Sequence, residues 1–434
     1  MVQDTTLLKK ICTPLKWELP KTSVGSGLAC AAFLLLAVYI WILPIDHTTA
    51  LRNLMFFSLI FLTMWAAWKR ELRPRFPVAW AWGLYGVVAV LSLFYAIDPG
   101  YSLFEIKTEL IYGILVFILG ATWIRNEISF SRLMVLLVLG NAFLVGYAIF
   151  QGVVLFRDMP PAPRGSLNSG FGTFSTYLVT VIPFVVAYAF LHFRNHSFRW
   201  FLAILLVANL VALYYTISRA AVLALIIEIA IAAVVVASYY ASRLSRRRQL
   251  MLGGLLVLAI LSLATLFNIQ MARRTPAHLQ NAPAAEAPQD VRITLLWPAA
   301  IENIRTSPWS GGGFGRNAYK LRNPDVAKTS TLHWHAHNVF LNKGVQMGLP
   351  GIIAFTLLLA TLAWTIKPTR QLMDSQPALA VYSGAGIAMI GGIIAKNLTD
   401  DYFIRDNALM FWLLTGALAG VISNWNETRQ NSGT

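Results

Sequence analysis

The stretch from His333 to Ile366, HWHAHNVFLNKGVQMGLPGIIAFTLLLATLAWTI, joins a cluster of polar residues to an apolar run that extends from Val339 to its end. A helix rises about 1.5 Å per residue and the hydrocarbon of a bilayer is some 30 Å thick, so a spanning helix needs roughly 17 to 25 apolar residues. Val339 to Ile366 meets that requirement. Outward from it the same pattern recurs at Val24 to Pro44, Leu51 to Trp68, Pro77 to Ile97, Leu110 to Ile124, Leu133 to Val153, Phe171 to Leu191, Trp200 to Ile217, Ala220 to Ala241 and Met251 to Phe267, and again at Pro377 to Ala395 and Ala408 to Ser423. The expectation is an all-α polytopic membrane protein of about twelve transmembrane helices. Composition agrees: 57% of the 434 residues are hydrophobic and 12% charged, with a mean hydropathy of +0.60, far from the balance of a soluble domain.

Orientation follows from the basic residues of the short loops. With the N-terminus inside, the inner segments carry Lys9, Lys10, Lys16, Lys21, Lys69, Arg70, Arg73, Arg75, Arg125, Arg194, Arg243 and the Arg246–Arg248 run. Both termini are therefore expected in the cytoplasm. The net charge of +16 is in large part such an insertion signal and calls for no nucleic-acid partner. Polar residues from Val2 to Ser23 precede the first run, so the first helix is expected to remain uncleaved. Cys12 falls on the inner tail and Cys30 inside the first span, and neither can staple an outer loop.

The chain divides at one long connection. Residues 1–267 hold the first nine spans, 268–336 form a periplasmic loop, and 337–434 hold the last three spans and an inner tail. Within the loop, Asn281 to Gln289 (NAPAAEAPQ) is of low complexity. From Asp290 the apolar residues of DVRITLLWPAAIENI fall at helical spacing, and Pro308 to Gly315 (PWSGGGFG) reads as a turn-rich segment. The expectation is a short helix lying on the membrane, followed by a glycine-rich hairpin.

Chemistry is expected on the outer face. His333, His335 and His337 alternate before the tenth span, and Arg164, Arg219 and Arg292 stand in outer segments. Arginine is always protonated and offers a fixed fork of donors suited to phosphate oxygens, whereas histidine can take a proton near neutral pH. A histidine among arginines is the natural base. The alternatives are a zinc site on the alternating histidines, for which no outer cysteine is available, a purely structural histidine, and arginines that anchor lipid headgroups. Asp400 and Asp401 in the last outer loop could bind a divalent metal, orient the histidine, or pair with Arg405 and the other arginines.

His337 and Asn338, followed after nine residues by Gly348-Leu-Pro-Gly351, together with Arg219 in SRAAVL, resemble the bacterial O-antigen ligase family, a group that also holds O-antigen polymerases and protein-glycosylating transferases. The resemblance runs from about Arg164 to Asp401. It implies transfer of polysaccharide from an undecaprenyl diphosphate carrier to the core sugar of lipid A on the periplasmic side, without metal, nucleotide or other cofactor. Carried onto this chain, His337 would be the general base, Arg164, Arg219 and Arg292 the diphosphate ligands, and the 292–315 segment a lid. Asn338, Asp400 and Asp401 are secondary candidates. A polymerase would share the chemistry with a second carrier-linked chain as acceptor. A transporter for an anionic lipid would instead need polar groups along the inner halves of the helices, where Asn141 and Asn209 are among the few exceptions.

Overall fold

The computed structural model describes residues 26–151, 171–193, 198–216, 218–240, 291–329, 334–401 and 403–432, with scattered positions between 253 and 269. The described residues form helices α1 (Ser26–Ile42), α2 (Thr49–Trp68), α3 (Ala79–Leu91), α4 (Pro99–Glu105), α5 (Tyr112–Trp123), α6 (Glu127–Phe150), α7 (Phe171–His192), α8 (Arg199–Tyr215) and α9 (Arg219–Tyr240). After these come α10 (Trp297–Thr306), α11 (Asn317–Arg322), α12 (Pro324–Thr329), α13 (Val339–Ile366), α14 (Arg370–Ser375), α15 (Pro377–Asn397) and α16 (Arg405–Ser432). No strand occurs among the described residues.

Among the described residues, seven helical stretches are long and apolar enough to cross a membrane, and three more are apolar but shorter. Sequence patterning anticipated about twelve spans. The expected span at Leu110 to Ile124 begins in a π turn at Ile106–Ile111, which runs without a break into the 12-residue α5. The run Met251 to Phe267 lies largely outside the described residues. The basic tail at Lys9 to Lys21, Arg164 and His333 also lie outside them.

Polar side chains cap α4, α6, α13 and α14. Asn126 and Ser129 form a reciprocal box at the head of α6, and Asp98 accepts from Tyr101 ahead of Pro99 in α4. Helix α16 packs along α5, and α9 lies against α15. Gly416 lets α16 close on α5, since a side chain there would collide with the Phe117 carbonyl. Inside the bundle, Asn141 and Asn209 donate to each other at 3.0 and 2.8 Å.

The decisive irregularity is in α13. Gly348 has φ 68° and ψ −163° in the middle of the helix, a conformation that side-chain-bearing residues rarely adopt. Two residues on, Pro350 brings no N–H and its ring excludes the carbonyl of residue 346 from the helical ladder. The freed groups find new partners in the loop after α10. Gly312 N donates to the Val345 carbonyl at 2.8 Å, Gly313 N to Gln346 at 3.0 Å, and Leu349 N to Pro308 at 2.8 Å. On the other side Ile97 N donates to Gly312 and Phe314 N to Ser92 Oγ, both at 3.0 Å. The glycine-rich segment is thus not the expected hairpin but a clasp between the broken α13 and the end of α3. A backbone without side chains can approach both, which explains the GGG run.

Candidate functional site

Helix α13 begins where α15 ends, and the loops that meet there carry most of the charge of interest. Asn338 is the N-cap of α13, accepting from Phe340 N at 3.0 Å and Leu341 N at 3.1 Å. Its amide also donates to the Leu398 carbonyl at 2.8 Å, tying the histidine segment to the 398–401 loop. Asn342, one turn further on, accepts from Ala336 N at 2.9 Å and donates to Asp401. Trp297 of α10 holds the same segment through a 3.0 Å bond to the Ala336 carbonyl. Three elements, α10, α13 and the 398–401 loop, therefore fix the backbone on either side of His337.

His337 sits at φ 50°, a strained value for a residue with a side chain and one that recurs at functional positions. Its Nδ1 lies 3.6 Å from Asp400 Oδ1. Asp400 Oδ2 in turn lies 3.4 Å from Lys396 Nζ, one turn back on α15. Burial by itself would raise the Asp400 pKa; the Lys396 ammonium, the His337 ring and Arg292 outweigh it and hold the carboxyl down to about 2. Arg292, in the π turn that leads into α10, donates from its guanidinium to the Thr399 carbonyl.

His335 is the neighbour most easily confused with a base. The two rings lie 3.9 Å apart, but His335 is 5% exposed and its Nδ1 accepts from His337 N at 3.0 Å. Burial, then the charges of Arg316 and His337, push its pKa down to about 2. Its ring is thus a neutral prop for the His337 backbone.

A second tier lies beneath. Arg316 Nε donates to Asp401 Oδ2 at 3.1 Å, with its guanidinium over the Trp334 ring. Lys343 Nζ is 3.7 Å from Glu109 Oε2 and donates to Gln346 at 3.2 Å. These four charges cancel in two ion pairs.

The structure therefore brings together His337, Asn338, Asp400, Asp401 and Arg292 among the residues singled out from the sequence. Arg219 opens α9 at the same end of the bundle. The side chain of Glu228 reaches Gly392 of α15 and that of Val235 reaches Gly384, so the two helices run antiparallel. Continuing that register by the residues from Glu228 back to Arg219 brings Arg219 to the level of the 398–401 loop. Arg164 lies outside the described residues. Sequence reasoning missed Lys396, Arg316, Lys343 and Asn342. The Lys396–Asp400 and Asn338–Asn342 spacings of one helical turn were the available signal. Among the described residues, no group of three or more His, Cys, Asp or Glu side chains is placed to hold a metal ion.

Comparison with curated proteins finds no match. Residues 202–356 match the family model described as O-Antigen ligase, a segment that contains Arg219, Arg292, His337 and the break at Gly348. With its charged cluster at one end of an apolar helical bundle, the chain is similar over this segment to the O-antigen ligase family.

Proposed function

We infer that the protein is an O-antigen ligase of the bacterial inner membrane, with both termini cytoplasmic and its site on the periplasmic face. It transfers polysaccharide from undecaprenyl diphosphate to a core sugar of lipid A. The observation that carries this reading is the partly exposed His337 ring, backed by Asp400 at 3.6 Å within the segment matched by the family model. An acceptor hydroxyl attacks the anomeric carbon of the donor while the bond to the diphosphate breaks. The leaving oxygen keeps the electron pair, and the hydroxyl proton passes to His337 Nε2. Asp400, on the Nδ1 side, selects the tautomer whose Nε2 lone pair faces the substrate. A separation of 3.6 Å suits a resting site, where such contacts are often longer than in the complex.

Arg292, with Arg219 at the same level and Arg164, binds the diphosphate and stabilises the charge that grows on it. The diphosphate linkage already holds the driving force, so the reaction draws on no nucleotide and the chemistry assigns no step to a metal. Double displacement would need an open carboxylate nucleophile. Asp400 and Asp401 are 7% and 3% exposed and are held by Lys396, Arg316 and Asn342. Their engagement favours a single inverting displacement.

The test is purified protein with carrier-linked glycan, in the presence and absence of lipid A-core, with product followed by gel shift. Ligase activity appears as a glycan ladder on lipid A-core and only in its presence. Chain extension with carrier-linked glycan alone identifies a polymerase instead, and absence of both products overturns the enzymatic reading.

A further inference from the structure

Lys396 is 0% exposed in the last turn of an apolar helix. Removing an ammonium from water carries a desolvation cost that a single ion pair seldom returns in full, and a Met or Leu would serve packing at least as well. A charge retained in such a place calls for a role beyond packing. Its geometry supplies one. Lys396 Nζ lies 3.4 Å from one oxygen of Asp400, and the other oxygen of the same carboxylate faces His337 Nδ1 at 3.6 Å.

We propose that Lys396 is a positioning residue for the transfer reaction: it holds Asp400 as the anion that orients His337 and, by sharing that anion's charge, leaves the imidazole free to accept a proton. This rests on the reading of His337 as the base. A carboxylate beside a histidine has two effects that pull apart. It fixes the ring and its tautomer, which helps a base, and it favours the imidazolium, which disables one. A cation on the far oxygen keeps the first effect and weakens the second. Among the remaining charges that face the pair, Arg292 also favours the Asp400 anion, but less than Lys396 does. Arg292 is engaged with the Thr399 carbonyl and with substrate in the proposed mechanism, Arg316 is paired with Asp401, and the buried His335 is neutral.

Removing the ammonium leaves Asp400 buried and in greater need of a proton, and the His337–Asp400 pair retains one to higher pH. For Lys396→Met, kcat is expected to fall about tenfold, with KM for the carrier-linked donor within about twofold, as for a displaced orienting group. The acid limb of the kcat/KM profile, measured from about pH 5 to 9, moves upward by on the order of one unit, the signature of an altered proton affinity at the base. Lys396→Arg, which keeps the charge, restores the profile. Lys396→Gln gives the same displacement as Lys396→Met and stands in if the methionine variant does not fold.

A lower rate with an unmoved acid limb overturns the proposal and leaves Lys396 a packing role. So does a profile that Lys396→Arg fails to restore. Failure of the enzymatic reading shows itself separately, as a wild type without transfer. In that case the NMR titration of His337, assigned by subtraction of the His337→Ala spectrum, still decides: the proposal requires an upward displacement in Lys396→Gln, and coincident curves refute it.

Discussion

Two buried regions of this bundle treat charge differently. At the end where α13 begins and α15 finishes, opposite charges meet within 4 Å: Lys396 with Asp400, Arg316 with Asp401, and Lys343 with Glu109. Partway down α9, Glu228 is 3% exposed, lies against Gly392, and its carboxyl oxygens have no hydrogen-bond partner among the described residues. It borders an apolar cavity of about 220 Å³ lined by Pro183, Leu225, Val235 and Ala388. Both regions are shielded from water, so depth does not distinguish them. Partnership does. Where charges are assembled in connected pairs they can position a reacting group, and where one stands alone it is a local expense that the surrounding packing must bear.

The sharpest way to test that contrast is at the assembled end. His337→Ala is expected to lower transfer by about 10²-fold or more, the usual scale for a lost base, with the thermal unfolding midpoint close to wild type. Initial rates by gel shift check the first statement and a melting curve the second. A variant that transfers normally breaks the assignment of the base. Next comes Arg292→Lys. Transfer should fall by about 10²-fold, because an ammonium keeps the charge but cannot offer the planar fork that grips two phosphate oxygens. The loss should appear in kcat more than in KM, since the interaction strengthens as charge develops.

A third variant tests the scaffold that links the two ends. Gly348→Ala forces a side chain into φ 68° and against the Pro308 carbonyl. A destabilisation of about 1 kcal/mol or more is expected, seen as a lower unfolding midpoint, with activity per folded molecule reduced because the clasp at Gly311–Gly315 shifts. The smallest effect belongs to the isolated carboxyl. Glu228→Leu should leave transfer within about twofold and the unfolding midpoint unchanged or higher, because it removes an unmatched polar group without breaking a pair. A large loss of transfer in that variant would erase the distinction between the two regions.

The candidate site was partly readable before the structure. The histidine ahead of an apolar run marked a candidate base at the start of a span, and the structure adds that Asn338 caps α13 there. Asp400 and Asp401 were legible only as a pair with three open roles. The structure divides them: Asp400 faces His337, and Asp401 pairs with Arg316, one of the other arginines that the sequence had put forward beside Arg405. Arg316 stands 85 positions from Asp401, and no local pattern connects them. Lys396 was within reach, one turn before Asp400, but a lone lysine at the end of a span also reads as a headgroup anchor.

What the sequence determined alone is what depends on neighbours along the chain. Apolar length, loop charge and capping residues act over a few residues, so a membrane bundle with a polar histidine segment at one end follows from composition and spacing. Which oxygen meets which cation is of another kind. Those contacts join α10, α13, α15 and the loops between them, and they exist only once packing has brought distant segments within about 4 Å, the range over which a buried charge finds its partner.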